Sequence, residues 1–118
     1  MQALATAATD TVTTVHATLA PADAAFNETG PAQNLGYTRL VSPPFSFTLP
    51  ATDNIYQHFG INVSGTIAPA VSDGYYTFVP GGVLTQGHYV LRFGGTGLIN
   101  FGANTFTEDL TYRITVAP

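Results

Sequence analysis

The stretch His88-Tyr-Val-Leu-Arg-Phe93 carries the clearest structural signal in this chain. Side chains of a β-strand point alternately to its two faces, and this stretch places Tyr89, Leu91 and Phe93 on one face. The segment Asp109-Leu-Thr-Tyr-Arg-Ile-Thr-Val116 alternates in the same way, with apolar residues at even positions and polar residues at odd positions. Both stretches therefore predict half-buried strands, and their apolar faces, which include Phe93 and Tyr112, are expected to form the core.

Shorter segments upstream are also rich in β-branched and aromatic residues, and glycine or proline separates them. The further predicted strands are residues 11–19, 37–41, 45–49, 61–67 and 75–79. Residues 51–60 predict a single helical turn with Thr52 or Asp53 as its N-cap. Seven short strands without a period of 3.6 residues predict an all-β fold, closed as a two-sheet antiparallel sandwich. An immunoglobulin-like topology is favoured over a jelly roll, because a turn glycine precedes Tyr89, whose hydroxyl is expected to bond to the turn backbone.

The length of 118 residues fits one domain. Residues 1–10 are small and polar, which predicts a flexible N-terminal segment, and residues 11–118 are expected to form a single β-sandwich domain. The chain contains no cysteine. A disulfide scaffold, a thiol nucleophile and a zinc site built on sulfur are therefore excluded.

The low charge of the chain limits its partners. Charged residues make up 8% of the chain, against about 25% in average proteins, and the only cations are Arg39, Arg92 and Arg113. Three arginines and a net charge of −4 argue against nucleic acid and against an anionic membrane surface. The sequence has no run of about 20 apolar residues, so a membrane-spanning helix is not predicted. A neutral surface rich in hydroxyl groups is typical of a secreted, extracellular protein or of one that packs against its own copies.

Four segments share a pattern with known sequences: Tyr37-Thr-Arg-Leu-Val-Ser-Pro-Pro-Phe45, Ser72-Asp-Gly-Tyr-Tyr76, Gly87-His-Tyr-Val-Leu-Arg-Phe-Gly-Gly95 and Asp109-Leu-Thr-Tyr-Arg-Ile-Thr-Val116. In order and spacing they resemble a family of uncharacterised secreted bacterial β-rich proteins. Tyr76 stands where that family has tryptophan, and Gln86 where it has proline. The resemblance implies secretion and a β fold, and it carries no catalytic residue across.

The candidate metal ligands are His16, His58, His88 and Asp73. Three convergent imidazoles would form a zinc or copper site, but no two of these histidines have the short spacing of metal ligands. Alternation places His16 and His88 on outer strand faces, which favours ordinary surface histidines. The sequence therefore predicts no cofactor, and it leaves the metal site as the alternative.

Motifs for catalysis are weak. No serine lies in a Gly-x-Ser-x-Gly frame, so a nucleophile elbow is not predicted. Asp73, Glu108 and Asp109 would suit glycoside chemistry if two of them faced each other about 5–10 Å apart. The favoured interpretation is that Asp73 caps its own turn and that the other two keep a strand end in water.

Two groups of apolar residues are candidate binding surfaces. The glycine-rich segment 94–107 is predicted to be a long loop carrying Leu98, Ile99, Phe101 and Phe106. These side chains either cap the core or offer an uncharged contact surface for self-association.

A second group consists of aromatic residues. Rings at Tyr37, Tyr56, Phe59, Tyr75 and Tyr76 suit the apolar faces of sugars, provided that they are exposed. We therefore predict a secreted, non-catalytic β-sandwich module that binds a partner such as polysaccharide, or its own copies, at the cell exterior. The alternative is a small extracellular enzyme or metal-binding protein that acts on polysaccharide through histidine and aspartate residues.

Overall fold

The computed structural model of the protein describes residues 2–99 and 103–118. Strands account for 51% of the residues and helix for 10%, and the strands pair antiparallel. The predicted all-β, sandwich-like fold is thereby confirmed. The preference for an immunoglobulin-like topology over a jelly roll stays a prediction.

The elements in chain order are α1 (Gln2–Asp10), β1 (Thr13–Ala22), β2 (Gln33–Asn34), β3 (Thr38–Val41), β4 (Phe45–Leu49), α2 (Ile55–His58), β5 (Gly65–Ala70), β6 (Asp73–Tyr76), β7 (Gly87–Ile99) and β8 (Asn104–Val116). One sheet has four strands in the order β2-β1-β7-β8. The other strands form two ribbons of two strands each, the β3–β6 ribbon and the β4–β5 ribbon.

The segment predicted to be a loop at residues 94–107 mostly belongs to strands, so that prediction is wrong. β7 continues to Ile99 and pairs with β8 from Asn104 onward, without a register shift along the ladder. Glycine in a strand usually marks a bend or a close approach of another chain segment, and the second case applies here. A Cβ atom at Gly94 would lie 2.0 Å from the carbonyl oxygen of Glu108, and one at Gly97 would lie 3.3 Å from the Val12 side chain.

The N-terminal segment forms helix α1, whereas the sequence led us to expect a flexible stretch. Four alanines among its nine residues favour a helix intrinsically. Tertiary contacts add to this: the Thr9 hydroxyl donates to the carbonyl oxygens of Ala5 and Asp73, at 3.1 and 3.0 Å. The bond to Asp73 ties α1 to the β3–β6 ribbon.

The predicted helical turn is present as α2, but its N-cap is Asn54 rather than Thr52 or Asp53. The Asn54 side-chain oxygen accepts from the backbone N–H of Gln57 at 3.1 Å, and its amide donates to two carbonyl oxygens of the flanking chain. Asparagine can satisfy both ends of this turn because it carries a donor and an acceptor.

The buried core is small and consists mainly of small side chains: Ala17, Ala20, Leu49, Ala70 and Val90. The chain exposes 8235 Å², against about 6,100 Å² for a compact protein of this mass. Its radius of gyration is 17.7 Å, against about 13.5 Å for a compact chain of this length. The sheet and the ribbons are therefore not closed tightly on one another.

Candidate functional site

One face of the four-stranded sheet is covered by the loop that follows β1. On this face Ala20 is 0% exposed and Val90 3% exposed. The Phe26 ring of the loop packs edge-to-face on His88, with the ring centroids 5.2 Å apart. Glu28, also in the loop, forms an ion pair with Arg92 of β7. The loop thus covers the part of this face around Ala20 and Val90.

The Asp23 carboxylate organises the covering loop. Its Oδ1 atom accepts from the backbone N–H groups of Ala25 and Asn27, at 2.9 Å each. The Asn27 side chain also donates to this carboxylate, and these bonds hold the pKa of Asp23 below its ordinary value of 3.8. These hydrogen bonds therefore fix the conformation of the covering loop.

The opposite face of the same sheet borders a groove of about 660 Å³, a volume within the range of small-ligand sites. The groove lies between the sheet and the β3–β6 ribbon, with α1 at one end. Its lining includes Leu91, Phe93 and Tyr112 from the sheet, and Tyr37, Tyr75 and Tyr76 from the ribbon and the residue before it. We call this the aromatic groove.

The rings of the aromatic groove meet edge-to-face. The Phe93 and Tyr112 centroids are 5.1 Å apart at 86°, and those of Tyr37 and Tyr75 are 5.7 Å apart at 86°. Tyr112 is 54% exposed and Tyr76 is 49% exposed. Perpendicular pairs of this kind fix the rings in place, while the exposed ones keep surface available for a ligand.

The ribbon wall of the groove is held to α1 by Arg39. Its Nε and Nη2 atoms donate to the two carboxylate oxygens of Asp73, at 2.9 and 2.8 Å, and Nη1 donates to Asp10. The Asp73 side chain has no exposed surface, and the Arg39 hydrogen bonds hold the pKa of Asp73 below its ordinary value. Asp73 in turn raises the pKa of Arg39.

The groove has few charges. Among the described residues that line it, Glu108 is the one carboxylate; His16 also borders the groove, but its ring lies on the opposite face of the sheet. Asp109 follows Glu108 along β8, so its side chain points to the opposite face. There its Oδ1 atom lies 3.3 Å from Nε2 of His16.

The structure does not bring the candidate metal ligands together. Asp73 binds Arg39, His16 contacts Asp109, and the Nδ1 atom of His88 lies 3.1 Å from the Thr115 hydroxyl. His58 ends α2, with its ring beside Phe59. Across residues 2–99 and 103–118, no three His, Cys, Asp or Glu side chains are grouped so as to hold a metal ion.

The predicted binding residues are divided by the fold. Tyr75, Tyr76, Leu98 and Phe106 all line the aromatic groove. Tyr56 lies on α2 and is not part of that lining. Ile99 ends β7, and Phe101 lies outside the described residues.

Sequence reasoning missed the sheet side of the groove. Alternation correctly grouped Leu91, Phe93 and Tyr112 on matching faces, but that face was expected to be sandwich core. Strand periodicity identifies a face, and it carries no information on whether another layer covers that face. No signal in the sequence distinguished the two outcomes.

The predicted hydrogen bond of Tyr89 is confirmed. Its hydroxyl donates to the carbonyl oxygen of Thr85 at 2.9 Å, within the turn that precedes β7. The ring is half-buried rather than buried. This bond anchors the start of β7, the central strand beneath the groove.

Comparison of the chain with protein-family models, with curated proteins and with solved structures yields no match. Within the described residues, neither helix has the length and apolar character needed to cross a membrane.

Proposed function

We propose that this protein is a secreted, non-catalytic binding module whose aromatic groove takes a neutral polysaccharide. The observation that carries the proposal is the clustering of exposed tyrosines around one groove of ligand-site volume. Sugar rings present apolar C–H faces to aromatic rings and hydroxyl groups to polar atoms, and tyrosine offers both partners.

The charge distribution supports a neutral ligand. Two of the three arginines are engaged elsewhere, Arg39 with Asp73 and Arg92 with Glu28. Arg113 lies over the Phe26 ring, on the face away from the groove. With Glu108 as the carboxylate beside the rings and a net charge of −4, an anionic polysaccharide would be repelled.

The position of the carboxylates favours binding over hydrolysis. Most glycosidases use two carboxyl groups that flank the scissile bond. Glu108 borders the groove, whereas Asp109 points to the other face and Asp73 is occupied by Arg39. The alternative of a small extracellular enzyme or metal-binding protein therefore has less support.

The experiment is a binding assay of the purified protein on insoluble cellulose and xylan and on soluble starch, with polygalacturonate as an acidic comparison. We expect binding to at least one neutral polymer and none to polygalacturonate. Tyr76→Ala and Tyr112→Ala should each weaken binding about 10-fold or more, because each removes an exposed aromatic anchor.

The matched control is Tyr56→Ala. Tyr56 is also an exposed tyrosine, at 38%, but it lies on α2 and outside the groove lining. Its removal should leave binding unchanged. Equal losses for Tyr56→Ala and Tyr76→Ala, or tight binding of polygalacturonate, would contradict the proposal.

A further inference from the structure

The two edges of the four-stranded sheet differ in length. β2 forms one edge and has two residues, whereas β8 forms the other edge and has thirteen. β8 pairs with β7 on its inner side along its whole length. Within the described parts of the chain, no strand pairs with its outer side. Its outward backbone N–H and C=O groups thus form a long open ladder.

β8 lacks most of the devices that usually block such an edge. Natural edge strands are kept from pairing by short length, charged side chains (above all lysine), proline or bulges. Of these, β8 has only the charges of Glu108, Asp109 and Arg113. β8 contains neither lysine nor proline, and its ladder with β7 has no register shift. All its residues from Asn104 to Arg113 are exposed. The edge is therefore competent to accept another strand.

The segment 109–113 of β8 is complementary to itself. Two copies can be related by a two-fold axis that is normal to the sheet and passes through Thr111. Each residue then lies opposite a residue of the partner copy, and the two residue numbers add up to 222. Arg113 then lies opposite the partner's Asp109, and Asp109 opposite the partner's Arg113. On the opposite face of the sheet, Tyr112 of each copy lies opposite Leu110 of the partner copy. Opposite charges and apolar residues in directly facing positions stabilise antiparallel strand pairs.

We propose that two copies of this protein pair antiparallel through β8, in the register centred on Thr111, and form a continuous eight-stranded sheet. The surface of the chain supports this partner. One copy exposes about 2,000 Å² more than a compact protein of its mass, and a standard interface covers about 800 Å² per partner. Tyr112 also lines the aromatic groove, so the grooves of the two copies would lie on the same side of the paired sheet.

Charge reversal tests the register. Asp109→Arg raises the net charge from −4 to −2 and faces two arginines against each other, whereas Arg113→Asp lowers it from −4 to −6 and faces two aspartates. Both variants should be monomers in multi-angle light scattering at 50 µM, where the wild type is a dimer. The double variant Asp109→Arg/Arg113→Asp keeps the net charge of −4 and should restore the dimer.

A cysteine probe tests the geometry, and it is clean because the chain has no cysteine of its own. In the proposed register Thr111 faces its own copy at a Cα separation of about 5 Å, within the ~7 Å limit for a disulfide. Thr111→Cys should therefore form a covalent dimer on mild oxidation. Thr107→Cys is the control, since the two copies of residue 107 lie eight residues, or about 27 Å, apart along the strands.

Circular dichroism melts establish that each variant is folded before its mass is read. A wild-type monomer at 50 µM would overturn the proposal. Dimers that survive both single charge reversals, or equal cross-linking at residues 107 and 111, would overturn the register.

Discussion

The two faces of the four-stranded sheet are built from alternate residues of the same strands, but they have different surroundings. One face buries Ala20 and Val90 beneath the loop of residues 23–30, which an ion pair and a network of backbone bonds hold in place. The other face presents Phe93 and Tyr112 to an open groove, across which the β3–β6 ribbon stands.

The difference shows that alternation determines which side chains share a face of a strand. Whether that face becomes buried core or an open groove depends on the segment that packs over it. The covered face has small residues, Ala20 and Val90, directly beneath the loop, and its longer side chains, such as Arg92, contact the loop residues. The groove face carries large rings, which hold a second layer at a distance. An unfilled space between layers is where a ligand site forms.

A charge buried in the covered face should destabilise the fold more than a charge on the groove face. Val90→Asp should reduce the free energy of unfolding by about 3 kcal/mol, because the carboxylate loses its water beneath the loop and the facing Arg113 only partly offsets that cost. Tyr112→Asp, on the groove face, should cost less than about 1 kcal/mol. Urea melts measure both, and equal losses would mean that the two faces are equally covered.

A second comparison uses the adjacent glycines of β7. The Cβ of Gly94→Ala would meet the Glu108 carbonyl oxygen at 2.0 Å, so β7 and β8 must separate, at a cost of about 1–3 kcal/mol. The Cβ of Gly95→Ala has its nearest neighbours at 3.5 Å and should change stability by about 0.5 kcal/mol or less. Thermal melts of the two variants measure the difference, and similar melting temperatures would contradict the close strand approach at Gly94.

The anchor at the start of β7 supports both faces. Tyr89→Phe removes one hydrogen bond to the Thr85 carbonyl oxygen and should cost about 1 kcal/mol. The ring stays, so its packing is unchanged. Urea melts of the wild type and the variant measure this loss. A variant as stable as the wild type would indicate that water replaces the bond without cost.

The strand pattern was largely predictable from the sequence, and the reason is physical. Period-two alternation in residues 88–93 and 109–116 is a local property, and both stretches lie within β7 and β8. The ends of elements were less predictable. Gly94 and Gly97 suggested a loop, because the sequence does not reveal that neighbouring segments approach the strand closely there.

The candidate site was predictable only in part. The sequence singled out Tyr75 and Tyr76 as aromatic residues beside a turn, and both line the groove. Tyr112 was assigned to the core, because its alternation is the same whether its face is covered or open. Tyr56 was grouped with the binding residues, and α2 instead carries it outside the groove lining.

The ion pair in the ribbon wall of the groove should have the smallest effect on stability, and only at acidic pH. Arg39 holds the pKa of Asp73 below 3.8, so this carboxylate contributes its full stabilisation above about pH 3.8 and loses it as the pH falls further. The effect is limited because Arg39 is partly exposed to solvent. Stability measured from pH 6 to pH 2 should therefore fall less steeply in Asp73→Asn than in the wild type. Identical slopes would mean that the pair does not hold the wall.

The central claim is that the β3–β6 ribbon stands away from the sheet and leaves the aromatic groove open. Small-angle X-ray scattering of the Arg113→Asp variant, which is expected to be monomeric, measures this directly. The account predicts a radius of gyration close to the 17.7 Å of the structure. A value of about 13–14 Å, that of a compact chain of 118 residues, would mean that the layers close on each other and that the groove does not exist.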